Sequence, residues 1–214
     1  MNIFPSSIER ATAWAEMDPN EKTKSYVSSL IDTCKDSEES QRTLDALFPN
    51  DGSRIGFGTA GLRSAMKPGP LGMNDLVIVQ TTQGLARYCQ DVAGKTDKKL
   101  LAVIGYDHRY NPDLNISSKN FAILTKLVFL EAGFECVLFD GYVATPLVAY
   151  ATTKLNAAVG IMVTASHNPK DDAGFKVYWS DGCQIRQVSS LSIDALIVND
   201  IQQPLIFPSL LTSR

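Results

Sequence analysis

Cysteine is scarce in this chain. Cys34, Cys89, Cys136 and Cys183 are spread over 214 residues with no C-x-x-C pair. That spacing excludes a zinc ribbon and a dithiol redox motif and offers no disulfide framework, so the thiols read as reduced and the compartment as cytoplasmic. Charge of one sign is scarce too: 20 Lys and Arg stand against 23 Asp and Glu, a net charge of −3, with no basic patch. A nucleic-acid partner is therefore not expected. No apolar run reaches the length of a membrane span. The N-terminal stretch MNIFPSSIERATAW lacks a basic segment followed by an apolar one, so neither a membrane nor a signal peptide is expected.

What the chain does have is core-forming material. Hydrophobic residues make up 44% of the sequence, enough for a packed domain and inconsistent with disorder. Residues 1–48 read as a polar helical arm, broken at Asp18-Pro19-Asn20, with Tyr26, Val27, Leu30 and Ile31 at helical spacing and a second short helix over residues 37–48. Residues 49–72 are rich in Gly and Pro and predict a loop with one short extended segment. Asn74 caps a helix running to Val92, with Ile78, Leu85, Cys89 and Val92 on its core face. A strand over 99–107 is apolar on both faces, as in a covered parallel sheet. Ser117 caps a helix with Phe121, Leu124 and Val128 on its core stripe, ended by Gly133. Strands follow at 134–140, 157–165 and 174–179, with a helix between the first two that starts from Thr145-Pro146.

Strand and helix alternate with short links. The expectation is an α/β fold, a three-layer α/β/α sandwich with a mainly parallel sheet, preceded by the helical arm. The core domain is expected over residues 49–190, with 191–214 a truncated or divergent tail. Ligands gather at the carboxyl ends of strands in such sheets. Asp107 and Arg109 follow one strand end and Ser166 follows another, so one rim collects all three.

The stretch GIMVTASHNPKDDAGFKVYW, residues 160–179, runs an apolar strand straight into Ser166-His167-Asn168-Pro169. A serine there is either a turn residue or a nucleophile able to carry a phosphoryl group. A phosphate on it would need cations and backbone donors, and Lys170, Lys176, Arg63 and a divalent metal are the candidates. A Ser-His-Asp hydrolase competes poorly. His167 is the immediate neighbour, so its side chain points away from that of Ser166; His108 is the only other histidine, and no G-x-S-x-G elbow exists. The glycines of GFGTAGLR, residues 56–63, do not make a nucleotide-binding P-loop, but they permit close backbone approach to an anion, with Arg63 as a fixed fork of donors.

Three stretches, FGTAGLR (57–63), TASHNP (164–169) and GFKVY (174–178), resemble the α-D-phosphohexomutase superfamily. AWAEMDPNEKT and MNDLVIVQTTQGLARY are similar to its type-two phosphoglucomutase branch, which also acts as phosphopentomutase and has a paralogue that makes glucose 1,6-bisphosphate. The resemblance covers most of residues 10–186. It implies an isomerase of carbohydrate metabolism that moves a phosphoryl group between sugar hydroxyls through a phosphoserine and a bisphosphate intermediate. By the same resemblance Ser166 is the carrier and, through its phosphate, a ligand of Mg²⁺. Arg63, His167 and Lys176 act beside it in catalysis. Thr59, Arg63, Ser166, Asn168 and Lys176 bind substrate, a sugar phosphate, and glucose 1,6-bisphosphate is the activator. Asp107 and Arg109 match the family's Asp-x-Arg segment, in a structural or a catalytic role. The family's aspartate-rich metal loop, sugar-recognition loop and C-terminal phosphate-binding domain do not occur in these 214 residues. The chain alone is accordingly expected to be inactive as a mutase. The alternative is a non-catalytic binding or regulatory chain, or part of a bisphosphate synthase.

Overall fold

The computed structural model describes residues 5–58, 61–95, 98–185, 193 and 195–197. The polar N-terminal segment folds as three helices, α1 (Ser7–Met17), α2 (Glu21–Thr33) and α3 (Glu38–Leu47). Each start is written in sequence. Ser6 and Glu9 close a capping box, and the side chains of Asn20 and Ser37 accept amide hydrogens of α2 and α3. The helices share a small core in which Ala11, Trp14, Val27, Leu44 and Phe48 meet Leu76 of the main body. Tyr26, expected on the apolar stripe, is 43% exposed instead. Thr23 and Val27 are the buried residues of α2, and Leu30 and Ile31 pack partly buried against the same core.

The main body begins with β1 (Gly61–Ala65) and α4 (Asp75–Ala93), continues with β2 (Leu101–Tyr106), and then makes a two-stranded ribbon, β3 (Tyr110–Asn111) with β4 (Ile116–Ser117). After it come α5 (Ser118–Glu131), β5 (Glu135–Leu138), α6 (Thr145–Lys154), β6 (Val159–Val163) and β7 (Asp172–Trp179). The five long strands form one sheet in the order β1-β7-β6-β2-β5. Strands β5, β2 and β6 are parallel neighbours, whereas β7 runs antiparallel to both β6 and β1. Four of the five strands therefore point one way and β7 points back.

Helices cover both faces. Val77, Ile78, Phe121 and Phe129 of α4 and α5 pack with Ile104, Ile161 and Phe175 on one side, and Val148 of α6 packs with Val103, Met162 and Tyr178 on the other. This is the three-layer sandwich expected from the alternation of elements. Strand β6 is buried at every position because both of its faces are covered. Two further details differ from expectation. Val92, in the last turn of α4, is 69% exposed. The cap of α6 is Ala144, with no side-chain hydrogen bond, so Pro146 stands one residue further into the helix than expected. None of the described helices is long and apolar enough to cross a membrane.

Candidate functional site

Strands β2 and β6 end side by side, with the Asp107 amide donating to the Val163 carbonyl at 3.1 Å. The chain segments that carry Asp107–Arg109 and Thr164–Lys170 thus leave the sheet on one rim. The second segment is the connection that reverses β6 into β7, and Ser166 sits within it. Among the described residues, Ser166 is the only one other than Gly and Asn at positive φ, at +58°. That left-handed backbone is disfavoured for a serine, so the surroundings must hold it.

The restraints are local and dense. The Ser166 amide donates to Thr164 Oγ1 at 2.9 Å, and the Asn168 amide donates to the Ala165 carbonyl at 3.1 Å. Asn168 Nδ2 donates to Asp172 Oδ2 at 2.7 Å. From the neighbouring segment, Arg109 inserts its guanidinium beneath the loop. Nη2 donates to the carbonyls of Ser166 and Asn168, both at 3.0 Å, while Nη1 donates to those of Asp172 at 2.8 Å and Pro169. Nε pairs with Asp107 Oδ2 at 3.0 Å. Asp107 is fixed in turn by Ser118 Oγ, which donates to its Oδ1 at 2.6 Å. The side chains of Ser166 and His167 are left exposed.

Strand order brings the cations to this rim. Arg63 pairs with Gly174 and Gly61 pairs with Lys176 across β1 and β7. Residues two apart on a strand share a face, so Arg63 and Lys176 lie on the same one. They border an open cavity of about 310 Å³ together with Gly56, Gly58, Gly61 and Thr164. Thr164 is the link, since its hydroxyl accepts the Ser166 amide. The Lys176 ammonium is held below its ordinary pKa, mainly by partial burial and then by the charge of Arg63, with Asp107 pulling the other way. A lysine so placed releases its proton more readily than a solvated one.

The predicted residues Arg63, Lys176, Ser166, Asn168, Asp107 and Arg109 are thus gathered at one end of the sheet. Asn168 spends its side-chain amide on Asp172, and His167 and Lys170 point into solvent. Thr59 lies outside the described residues. Reading the sequence missed Thr164, although a threonine two residues before the serine is the signal for a side-chain turn. It also missed Ser118 and Asp172, which no local pattern singles out. Among the described residues no group of three or more His, Cys, Asp or Glu side chains is placed to hold a metal. A hard cation takes six or more oxygens, so the described residues do not by themselves fit a Mg²⁺ site.

Residues 54–203 match the family model for phosphoglucomutase/phosphomannomutase, alpha/beta/alpha domain I. The chain is 46% identical to a phosphoribomutase of Saccharomyces cerevisiae over 86% of its own length and 28% of that protein's. It is 39% identical to the phosphopentomutase of Homo sapiens over 91% of its length and 31% of the relative's. Among solved structures, a putative phosphomannomutase from Thermus thermophilus superposes with a TM-score of 0.58 at 29% identity, over 68% of this chain and 30% of that one. The chain spans roughly three-tenths of the length of each of these relatives.

Proposed function

This chain belongs to the phosphoglucomutase/phosphomannomutase family, a family of sugar-phosphate mutases, and from that premise we propose that it carries the phosphoserine domain of a cytoplasmic phosphoglucomutase/phosphopentomutase. The observation that carries the reading is Ser166. It is exposed at the carboxyl rim of the sheet, locked in a left-handed turn, and next to a cavity lined by Arg63 and Lys176.

In this reading phosphoserine 166 is the donor. A sugar hydroxyl oxygen forms a bond to phosphorus while the bond from phosphorus to Ser166 Oγ breaks. The hydroxyl proton leaves to a base, and Oγ is reprotonated or receives the second phosphate of the resulting bisphosphate. Glucose 1,6-bisphosphate is the compound expected to load the serine. Phosphoryl transfer of this kind is driven by positioning and by neutralising charge on the equatorial oxygens. Arg63 supplies a fixed cation. Lys176, with its weakened hold on its proton, supplies either a second cation or the base, and His167 beside the serine is the other candidate for the proton. Thr59 and Asn168 are proposed to contact substrate. Mg²⁺ would add a further charge on the phosphate oxygens, but the described residues offer no carboxylate cage for it, and no step is assigned to it. For the same reason the chain alone is expected to accept a phosphoryl group but to turn over sugar phosphates slowly.

The test is peptide mapping by mass spectrometry after incubation with glucose 1,6-bisphosphate. One phosphoryl group on the peptide containing Ser166, absent in Ser166→Ala, is the expected result. Phosphate on another residue, unchanged in Ser166→Ala, removes the carrier role.

A further inference from the structure

Arg109 is the most heavily used side chain at the rim, and it touches no part of the cavity that Arg63 and Lys176 line. Its side chain is only 9% exposed. Four of its hydrogen bonds go to main-chain carbonyls: those of Ser166, Asn168 and Pro169 lie in the segment that turns β6 into β7, and that of Asp172 opens β7. A guanidinium offers five N–H donors in a rigid planar fork. Here that fork is fully directed, with Nε on Asp107 and the two terminal nitrogens on Ser166, Asn168, Pro169 and Asp172.

This pattern has an electrostatic consequence. In a planar trans peptide the C=O and the following N–H point in opposite directions. With the Ser166 and Pro169 carbonyls aimed at the guanidinium, the amides of His167 and Lys170 are turned the opposite way. The four carbonyl oxygens, which would repel a phosphate dianion, are drawn down onto Arg109. A loop without that anchor would let the carbonyl of Ser166 rotate, and the strained φ of +58° would relax toward commoner values.

We propose that Arg109, held by Asp107 and through it by Ser118 at the start of α5, is the positioning residue of the Ser166 carrier: it fixes the left-handed turn and turns the loop carbonyls away from the phosphoryl group. This rests on the carrier reading of Ser166, and it resolves the choice between a catalytic and a purely structural Asp-x-Arg segment. Arg109 acts on the reaction through the loop and does not touch substrate. Lysine is not equivalent, because one ammonium cannot span four carbonyls and a carboxylate.

The experiment compares the 214-residue chain with its Arg109→Lys and Arg109→Ala variants. Amide hydrogen exchange is read separately in residues 165–170 and in α4 and α5. Phosphoryl uptake at Ser166 from glucose 1,6-bisphosphate is timed, with and without added methylguanidinium. Both variants are expected to exchange faster in the loop while α4 and α5 keep their protection, and to load Ser166 on the order of a hundredfold more slowly, as a misplacement of about 1 Å does. Methylguanidinium should restore part of the rate in Arg109→Ala. Unchanged loop exchange, or a loosened loop with unchanged uptake, overturns the inference. Loss of protection in α4 and α5 together with the loop in Arg109→Lys shows a general structural role and overturns it too. If the unsubstituted chain takes up no phosphate at Ser166, the carrier reading fails, and loop exchange alone still decides whether Arg109 positions the turn. Should Arg109→Ala not fold, Arg109→Lys decides.

Discussion

Arg63 and Lys176 stand one diagonal step apart on the same face of the β1–β7 pair, with glycines as their direct cross-strand partners, Gly174 and Gly61. The register puts the two cations on one face, and neither glycine puts a side chain between them. The lowered pKa of Lys176 is the result, from partial burial first and the charge of Arg63 second. Arg63→Gln should therefore raise the Lys176 pKa toward its ordinary 10.5, read by NMR titration of the side chain. The folded state binds this proton less tightly than the unfolded chain, so the protonated lysine weakens the fold, and stability recovers as pH rises from the folded pKa toward 10.5. Arg63→Gln should cost no stability at neutral pH while slowing phosphoryl transfer. An unchanged Lys176 titration would show that Arg63 is not its electrostatic neighbour.

Gly61 is required by geometry. Its φ is +129°, and a Cβ there would lie 1.8 Å from the Phe175 carbonyl oxygen. Gly61→Ala should destabilise the chain by at least about 2 kcal/mol through strain and a forced shift of β1 from β7. In a domain of this size that lowers the melting temperature by several degrees, roughly 2–4 °C per kcal/mol. A melting temperature equal to that of the unsubstituted chain would mean that β1 does not sit against β7 as described.

The sandwich was legible because the apolar runs of β2 and β6 and the caps at Asn74 and Ser117 are local signals. The reversal of β7 was not. A largely buried strand beside another buried strand carries no mark of its direction, and the register from Val159–Trp179 to Val163–Phe175 reveals it. That reversal makes the Ser166 segment a hairpin-like connection and puts Lys176 beside Arg63. Ser166, Arg63, Lys176 and Arg109 stood out as residue types in telling positions. The bonds from Arg109 to the loop carbonyls did not, since those carbonyls lie 57 to 63 residues away along the chain. The ribbon of β3 and β4 was missed because two-residue strands are too short for periodicity to show.

Asp18 gives the helical arm a pH dependence. Burial raises its pKa from 3.8 to about 6, against the opposing hydrogen bonds from Thr23 and Asn20. The folded chain therefore holds a proton that the unfolded chain has released, and the stability this group contributes is present below pH 3.8 and lost as pH rises through about 6. Unfolding followed by tryptophan fluorescence should show the unsubstituted chain losing up to about 3 kcal/mol relative to Asp18→Asn across that window. A difference between the two chains that does not vary with pH would rule out Asp18 as the titrating group.

Asn74 does two jobs at the start of α4. Its Oδ1 accepts the Val77 amide at 3.0 Å, and its Nδ2 donates to the Gly69 carbonyl at 2.8 Å and the Lys67 carbonyl at 3.0 Å. Asn74→Ala should cost about 2–4 kcal/mol in urea unfolding, from the lost cap and the carbonyls left unpaired. Asn74→Asp keeps the acceptor but loses both donors, and it too should be destabilising. An Asp variant as stable as the unsubstituted chain would place the whole effect in the cap.

The central claim is that Ser166 carries a phosphoryl group reversibly. The direct measurement is a label-and-chase experiment on this chain. It is incubated with radiolabelled glucose 1,6-bisphosphate, freed of sugar, and then given unlabelled glucose 1-phosphate or ribose 1-phosphate. The account predicts label on Ser166, none on Ser166→Ala, and transfer of that label into a sugar bisphosphate during the chase, slowed in Arg63→Gln. Label that never reaches Ser166, or that leaves only as inorganic phosphate whichever sugar is present, would contradict it.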